Sequence, residues 1–103
     1  MNFTLSFLPE VEEDAILGYH WYEEKSIGLG EEFLRLFYVY SKEISRDPYL
    51  YNIKFNNFRR RLLRHYPYAV YFKIIDNTVI IFGLFHCARN PEFITDTLTT
   101  RKV

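Results

Sequence analysis

The stretch Arg59–Pro91, RRRLLRHYPYAVYFKIIDNTVIIFGLFHCARNP, decides how this chain is read. It divides into three antiparallel strands, Phe58–Arg64, Tyr68–Ile75 and Thr78–Phe85. His65-Tyr66-Pro67 supplies a turn or bulge between the first two, and Asp76-Asn77 a tight hairpin between the last two. The third strand is nearly all apolar (Val79, Ile80, Ile81, Phe82, Leu84), so it belongs at the centre of a sheet with both faces covered. Cations crowd the start of this sheet, and the polar cluster His86-Cys87-Ala88-Arg89 stands at its end. A partner carrying negative charge is the first explanation of that pattern.

Upstream, Asn2 to Leu8 sets Phe3, Leu5 and Phe7 against Asn2, Thr4 and Ser6, the alternation of a half-buried strand. Pro9 then stands where a first helical turn tolerates proline, with acids behind it that complement the helix dipole. Val11, Ala15, Tyr19 and Tyr22, with Ile16 beside them, recur at helical spacing to about Lys25. Ser26-Ile27-Gly28 breaks that helix. A second runs from about Leu29 to Ser45 on the stripe Phe33, Leu36, Phe37, Tyr40 and Ile44, and Asp47-Pro48 stops it. The short break implies an antiparallel helical hairpin. Tyr49 to Asn57 carries no pattern and is expected to be a loop, and Glu92–Lys102 a terminal helical turn or two, weakened by four threonines.

The expected fold is therefore α+β, in the order β-α-α-β-β-β, with a helical hairpin packed on one face of a small antiparallel sheet. The other face is expected to stay partly open. A chain of 103 residues makes one domain, 1–103, and 49% hydrophobic with 19% aromatic residues supplies a core. Cys87 is the lone cysteine, which permits no internal disulfide and fits a reducing cytoplasm. The N-terminal residues lack a signal-peptide pattern, and no apolar run approaches the roughly 18 residues that span a membrane. No membrane partner is expected.

The net charge of zero conceals a segregation. Residues 1–32 carry −7 and residues 33–103 carry +7. Acids favour helix starts and solvated helix faces, which accounts for the first half. It does not account for Lys54, Arg59, Arg60, Arg61 and Arg64. Along a strand, Arg60 and Arg64 point one way and Arg59 and Arg61 the other. Such a set makes an anion-binding face for RNA, DNA or an acidic protein segment. Equally, it makes an edge strand protected from aggregation by charge. Spacing alone supports both.

Other constellations carry less. Gly28-Leu29-Gly30 follows a helix rather than a strand, so it is a helix break rather than a phosphate loop. His20, His65 and His86 share no metal-ligand spacing, and neither metal nor cofactor is expected. His20-Trp21-Tyr22 is a packing cluster before it is a platform for stacking bases. Cys87 and His86, as strand neighbours, point to opposite faces and do not form a nucleophile–base pair. Arg89 suits a carboxylate or phosphate, and His86 suits general acid–base work, with strand-end packing as the plainer role for either.

Taken in order, three groups of residues resemble the ParE branch of the ParE/RelE toxin superfamily. They are Asp14–Tyr22 followed by Gly28–Leu34 and Ile44…Pro48, then Arg61–Tyr71, and finally the apolar strand ending in His86–Pro91. The resemblance is colinear over nearly the whole chain. It implies the toxin of a bacterial type II toxin–antitoxin module, bound by a cognate antitoxin in a hetero-oligomer. In the superfamily, ParE-type members inhibit DNA gyrase and RelE-type members cut mRNA on the ribosome. RelE-like ribonucleases carry an arginine where this chain has Tyr68, and a late tyrosine where it has Ile94 and Thr95; Arg89 has a counterpart, and the lysines before the sheet are reduced to Lys54. The resemblance therefore implies a gyrase inhibitor without catalytic residues, whose partner-binding surface comprises Arg59, Arg60, Arg61, Arg64, Tyr68, His86 and Arg89. The alternatives are a ribosome-dependent endoribonuclease using His86, Arg89 and Arg64, and a non-toxic fold member that only binds antitoxin and regulates its operon.

Overall fold

In a computed structural model, residues 3–103 are described. The order is β1 (Thr4–Phe7), α1 (Pro9–Lys25), α2 (Leu29–Arg46), a 3-10 turn (Pro48–Leu50), β2 (Ile53–Phe55), β3 (Phe58–Leu62), β4 (Tyr68–Ile75), β5 (Thr78–His86) and α3 (Pro91–Thr100). The strands form one sheet in the order β1-β5-β4-β3-β2. β5 is central, as its unbroken apolar run requires, and β4 keeps the expected bounds. The start of the first expected strand, Asn2, lies outside the described residues.

Three features depart from expectation. The sheet is mixed rather than antiparallel: β1 runs parallel to β5, with Phe7 beside Ile81. The stretch taken as a loop contains the 3-10 turn and β2, which pairs with β3 and makes a fifth strand. The C-terminal segment is a ten-residue helix, α3, and it covers part of the face expected to be open. Ile94 and Leu98 are buried there, and Gly83 of β5 lacks a side chain where Leu98 and the Phe85 ring pack.

Local chemistry sets these boundaries. Gly28 adopts φ +90°, a left-handed turn that glycine enters without steric cost, and so reverses the chain between α1 and α2. The Glu23 carboxylate accepts hydrogen bonds from the Gly28 and Gly30 amides at 3.0 Å, capping the free N–H groups of α2. Gly30 also lets the helices touch, since a Cβ there would lie 2.6 Å from the Tyr19 carbonyl. At α3, Asn90 accepts from the Glu92 amide at 2.8 Å and Pro91 takes the first helical position.

The hairpin buries Phe33, Phe37, Tyr40 and Ile44 of α2 with Val11 and Ala15 of α1. The expected α1 stripe shifts: Asp14 and Gly18 are buried, while Ile16 is exposed. Tyr68 on this side meets the Phe33 ring at 4.8 Å. On the far side Phe58 meets Phe82 at 5.1 Å and Phe85 meets Phe93 of α3 at 6.1 Å, so aromatic rings fill both layers. No helix among the described residues is long and apolar enough to cross a membrane.

Candidate functional site

The alternation of β3 sorts its arginines. Arg59 and Arg61 stand opposite Phe72 and Val70 and turn toward the helix layer. Arg59 donates to the Tyr51 carbonyl at 2.6 Å. Arg61 pairs with Glu43 of α2 at 2.8 Å and lies 3.9 Å over the Tyr40 ring. These two are occupied within the fold. Arg60 stands opposite Tyr71 and turns to the other face. Arg64 follows the end of β3 and is exposed, apart from the rest.

On the far face a cleft of about 260 Å³ opens between β2, the sheet and α3. Lys54, Arg60 and Arg89 border it with Tyr71, Cys87, Ile94 and Thr95. None of the three cations forms an ion pair among the described residues, where the recorded pairs are Arg61–Glu43 and Arg101–Asp14. The N-terminus of α3 opens on the same cleft through Pro91, adding the positive end of a helix dipole. Arg89 is placed by a stack on Phe93, 4.0 Å from the ring centroid. Partial burial of the Cys87 thiol pushes its pKa up, and Arg60 pulls it the other way. Cations without ion-pair partners and a helix N-terminus on one cleft have the chemistry that suits an anion.

His86 lies across the strand from Cys87, as alternation requires, and does not border this cleft. Its Nδ1 accepts the Ala88 amide at 3.0 Å, and its ring meets Tyr68 edge-on at 5.2 Å. His86, Tyr68 and Arg89 border a second cavity of about 240 Å³ between α1 and α3, floored by the Asp14–Arg101 pair. Burial raises the Tyr68 pKa, with Arg89 opposing. Arg89 alone reaches both cavities. Arg64 borders neither, so His86, Arg89 and Arg64 do not converge.

No protein-family model and no curated protein matches the chain. Solved structures do. The chromosomal ParDE toxin–antitoxin system from P. aeruginosa aligns with a TM-score of 0.74 at 11% identity, over 82% of this chain and 95% of that one. The chain has the ParE/RelE toxin fold. The RelBE2 toxin–antitoxin complex from Mycobacterium tuberculosis aligns at 0.61 with 17% identity, over 84% of this chain and 92% of that one. A free mutant of the E. coli toxin RelE aligns at 0.62 with 13% identity, over 97% and 98% respectively. Within this ParE/RelE fold, Ile94 and Thr95 fall on the wall of the cationic cleft, although the sequence gives only their order. Sequence reasoning placed Lys54 in a loop and passed over Tyr71 and Asp14–Arg101. Asp14 on the apolar side of a helix was the one available signal for the last.

Proposed function

We propose that this chain is the toxin of a type II toxin–antitoxin module, neutralised by a cognate antitoxin, with DNA gyrase as its target. One observation carries the choice of target. The cleft gathers cations to hold an anion, but its lining holds no histidine or carboxylate to move a proton. Cleavage of RNA requires a group that takes the 2′-hydroxyl proton and one that protonates the leaving oxygen. Ile94 and Thr95 occupy the wall where a ribonuclease of this fold is expected to carry tyrosine. Tyr71 is buried, and His86 lies outside the cleft. A protein that traps a nucleic-acid complex needs affinity and shape, not acid–base chemistry.

The convergence of Lys54, Arg60 and Arg89 on one cleft supports one rival, a ribosome-dependent endoribonuclease that holds the scissile phosphate there. Purified protein, free of antitoxin, is tested in parallel for inhibition of gyrase supercoiling and for cleavage of message on translating ribosomes. Inhibition with intact message is the expected result. Cut message with unchanged supercoiling overturns the gyrase assignment.

A further inference from the structure

The cavity between α1 and α3 measures about 240 Å³. Cavities of about 150 Å³ already hold benzene. Its floor is saturated: Arg101 donates to both Asp14 oxygens and to the Phe82 carbonyl, and Asp14 accepts from the Leu84 amide as well. The walls are not. Glu13 of α1 and Arg89 beyond β5 both border the cavity, and neither has an ion-pair partner among the described residues. Opposite charges thus face one small space without meeting. His86 joins them there, and because its Nδ1 accepts the Ala88 amide at 3.0 Å, the ring hydrogen sits on Nε2 as a free donor. Leu17 and Phe93, 67% and 41% exposed, supply apolar walls.

We propose that this cavity binds a free α-amino acid with an apolar side chain of about leucine's size. Its carboxylate goes to Arg89 and the Nε2 hydrogen of His86, and its ammonium to Glu13. Its side chain covers Leu17 and Phe93, which otherwise face water. The lining selects this class. A simple anion would bring a like charge to Glu13, and a simple amine would bring one to Arg89. A hydrocarbon would desolvate both charges and pair neither. A zwitterion answers both, and an amino acid carries its two charges on one carbon, as so small a space requires. Arg89 is also one of the three cations of the anion cleft, so a seated amino acid engages a group that a polyanion needs. Amino-acid binding and polyanion binding are therefore opposed. This site is independent of the gyrase assignment.

The probe is L-leucine, added to the full ¹⁵N-labelled chain and followed through the amides of Leu17, His86 and Phe93. These should shift and saturate. Isocaproate lacks the ammonium, isoamylamine lacks the carboxylate and glycine lacks the side chain. Each should bind about tenfold or more weakly than leucine, since each loses one of three contacts. Glu13→Gln, a change at an exposed helix position, should cost leucine a similar factor and leave isocaproate no weaker. Leucine at about 20 mM, well above a weak millimolar dissociation constant, that shifts none of these amides overturns the site. Equal affinities for leucine and isocaproate overturn the zwitterion, as does a Glu13→Gln variant that binds leucine like the parent. Saturating leucine should also lower the salt slope of single-stranded DNA binding by about one. An unchanged slope with leucine bound overturns the competition for Arg89.

Discussion

Arg101 grips Asp14 through two N–H···O bonds, of 2.6 and 2.9 Å, between residues 87 positions apart. Strand β1 ends at Phe7, and Leu8 makes the last bond of that ladder, to the Ile81 carbonyl at 3.1 Å. The edge of β5 beyond it would be bare. Arg101 donates to the Phe82 carbonyl at 2.8 Å, and Asp14 accepts from the Leu84 amide at 3.2 Å. A side-chain pair thus continues a backbone ladder and fastens the end of α3 over the sheet. The bond to Asp14 raises the guanidinium's pKa.

Both side chains are mostly buried, at 12% and 8% exposure, so removing one strands a charge. Arg101→Ala should destabilise the protein by about 3–5 kcal/mol, and Asp14→Ala similarly. Urea unfolding of each variant checks this. A loss below about 1 kcal/mol would show the pair to be ornamental, as for an exposed bridge.

Arginines adjacent in sequence should behave as two classes. Lys54→Ala, Arg60→Ala and Arg89→Ala should each weaken heparin or DNA binding and lower the salt slope by about one, with stability little changed. Arg59→Ala and Arg61→Ala should destabilise by about 1 kcal/mol and leave the slope alone, because their groups are engaged by Tyr51, Glu43 and Tyr40. Salt titrations and melting curves on the five variants separate the classes. A common response from all five would refute the division of faces.

Much of this arrangement was legible in the sequence, and the exceptions have identifiable causes. β4 and its hairpin follow from apolar alternation and Asp76-Asn77, whose first residue adopts φ +55°. The parallel pairing of β1 left no trace, because alternation reports a strand's faces and not its direction. β2 has three residues, too few to show a period. For α3 the cap Asn90-Pro91 was visible, but its four threonines weakened the expectation to a helical turn or two. In the fold, Thr95, Thr99 and Thr100 return their hydroxyls to carbonyls three or four residues earlier, which accommodates them in a helix. The cationic cleft joins β2, β3, the turn after β5 and α3. Strand alternation separated Arg60 from Arg59 and Arg61 without saying which of them faced the cleft, and only tertiary packing brings Lys54 and Arg89 to Arg60.

Gly18 and Gly30 set how closely the helices approach. A Cβ at Gly18 would lie 2.5 Å from the Phe33 ring, which is fully buried, and one at Gly30 meets the Tyr19 carbonyl. Gly18→Ala and Gly30→Ala should each cost about 1–3 kcal/mol despite alanine's better helix propensity. Thermal unfolding decides it, and stabilisation by either change would contradict the packing.

Alkaline pH should loosen the fold through Tyr66. Its hydroxyl donates to Glu32 at 3.0 Å, and burial first, then that bond, pushes its pKa up to about 12 from an ordinary 10.0. Below pH 10 the phenol is protonated in both states and the contribution is whole. Between 10 and 12 the unfolded chain gives up a proton that the folded chain keeps, so stability falls as pH rises. Tyr66→Phe should flatten that part of the curve, measured by urea midpoint against pH. An unchanged slope would place the loss elsewhere.

The central claim is that the cleft binds without cutting, and gyrase supercoiling in vitro tests it most directly. Antitoxin-free protein at stoichiometric excess should block supercoiling and accumulate cleaved DNA, and a Lys54→Ala, Arg60→Ala, Arg89→Ala triple variant that stays folded should do neither. Supercoiling that proceeds unchanged in the presence of the wild-type protein would contradict the account.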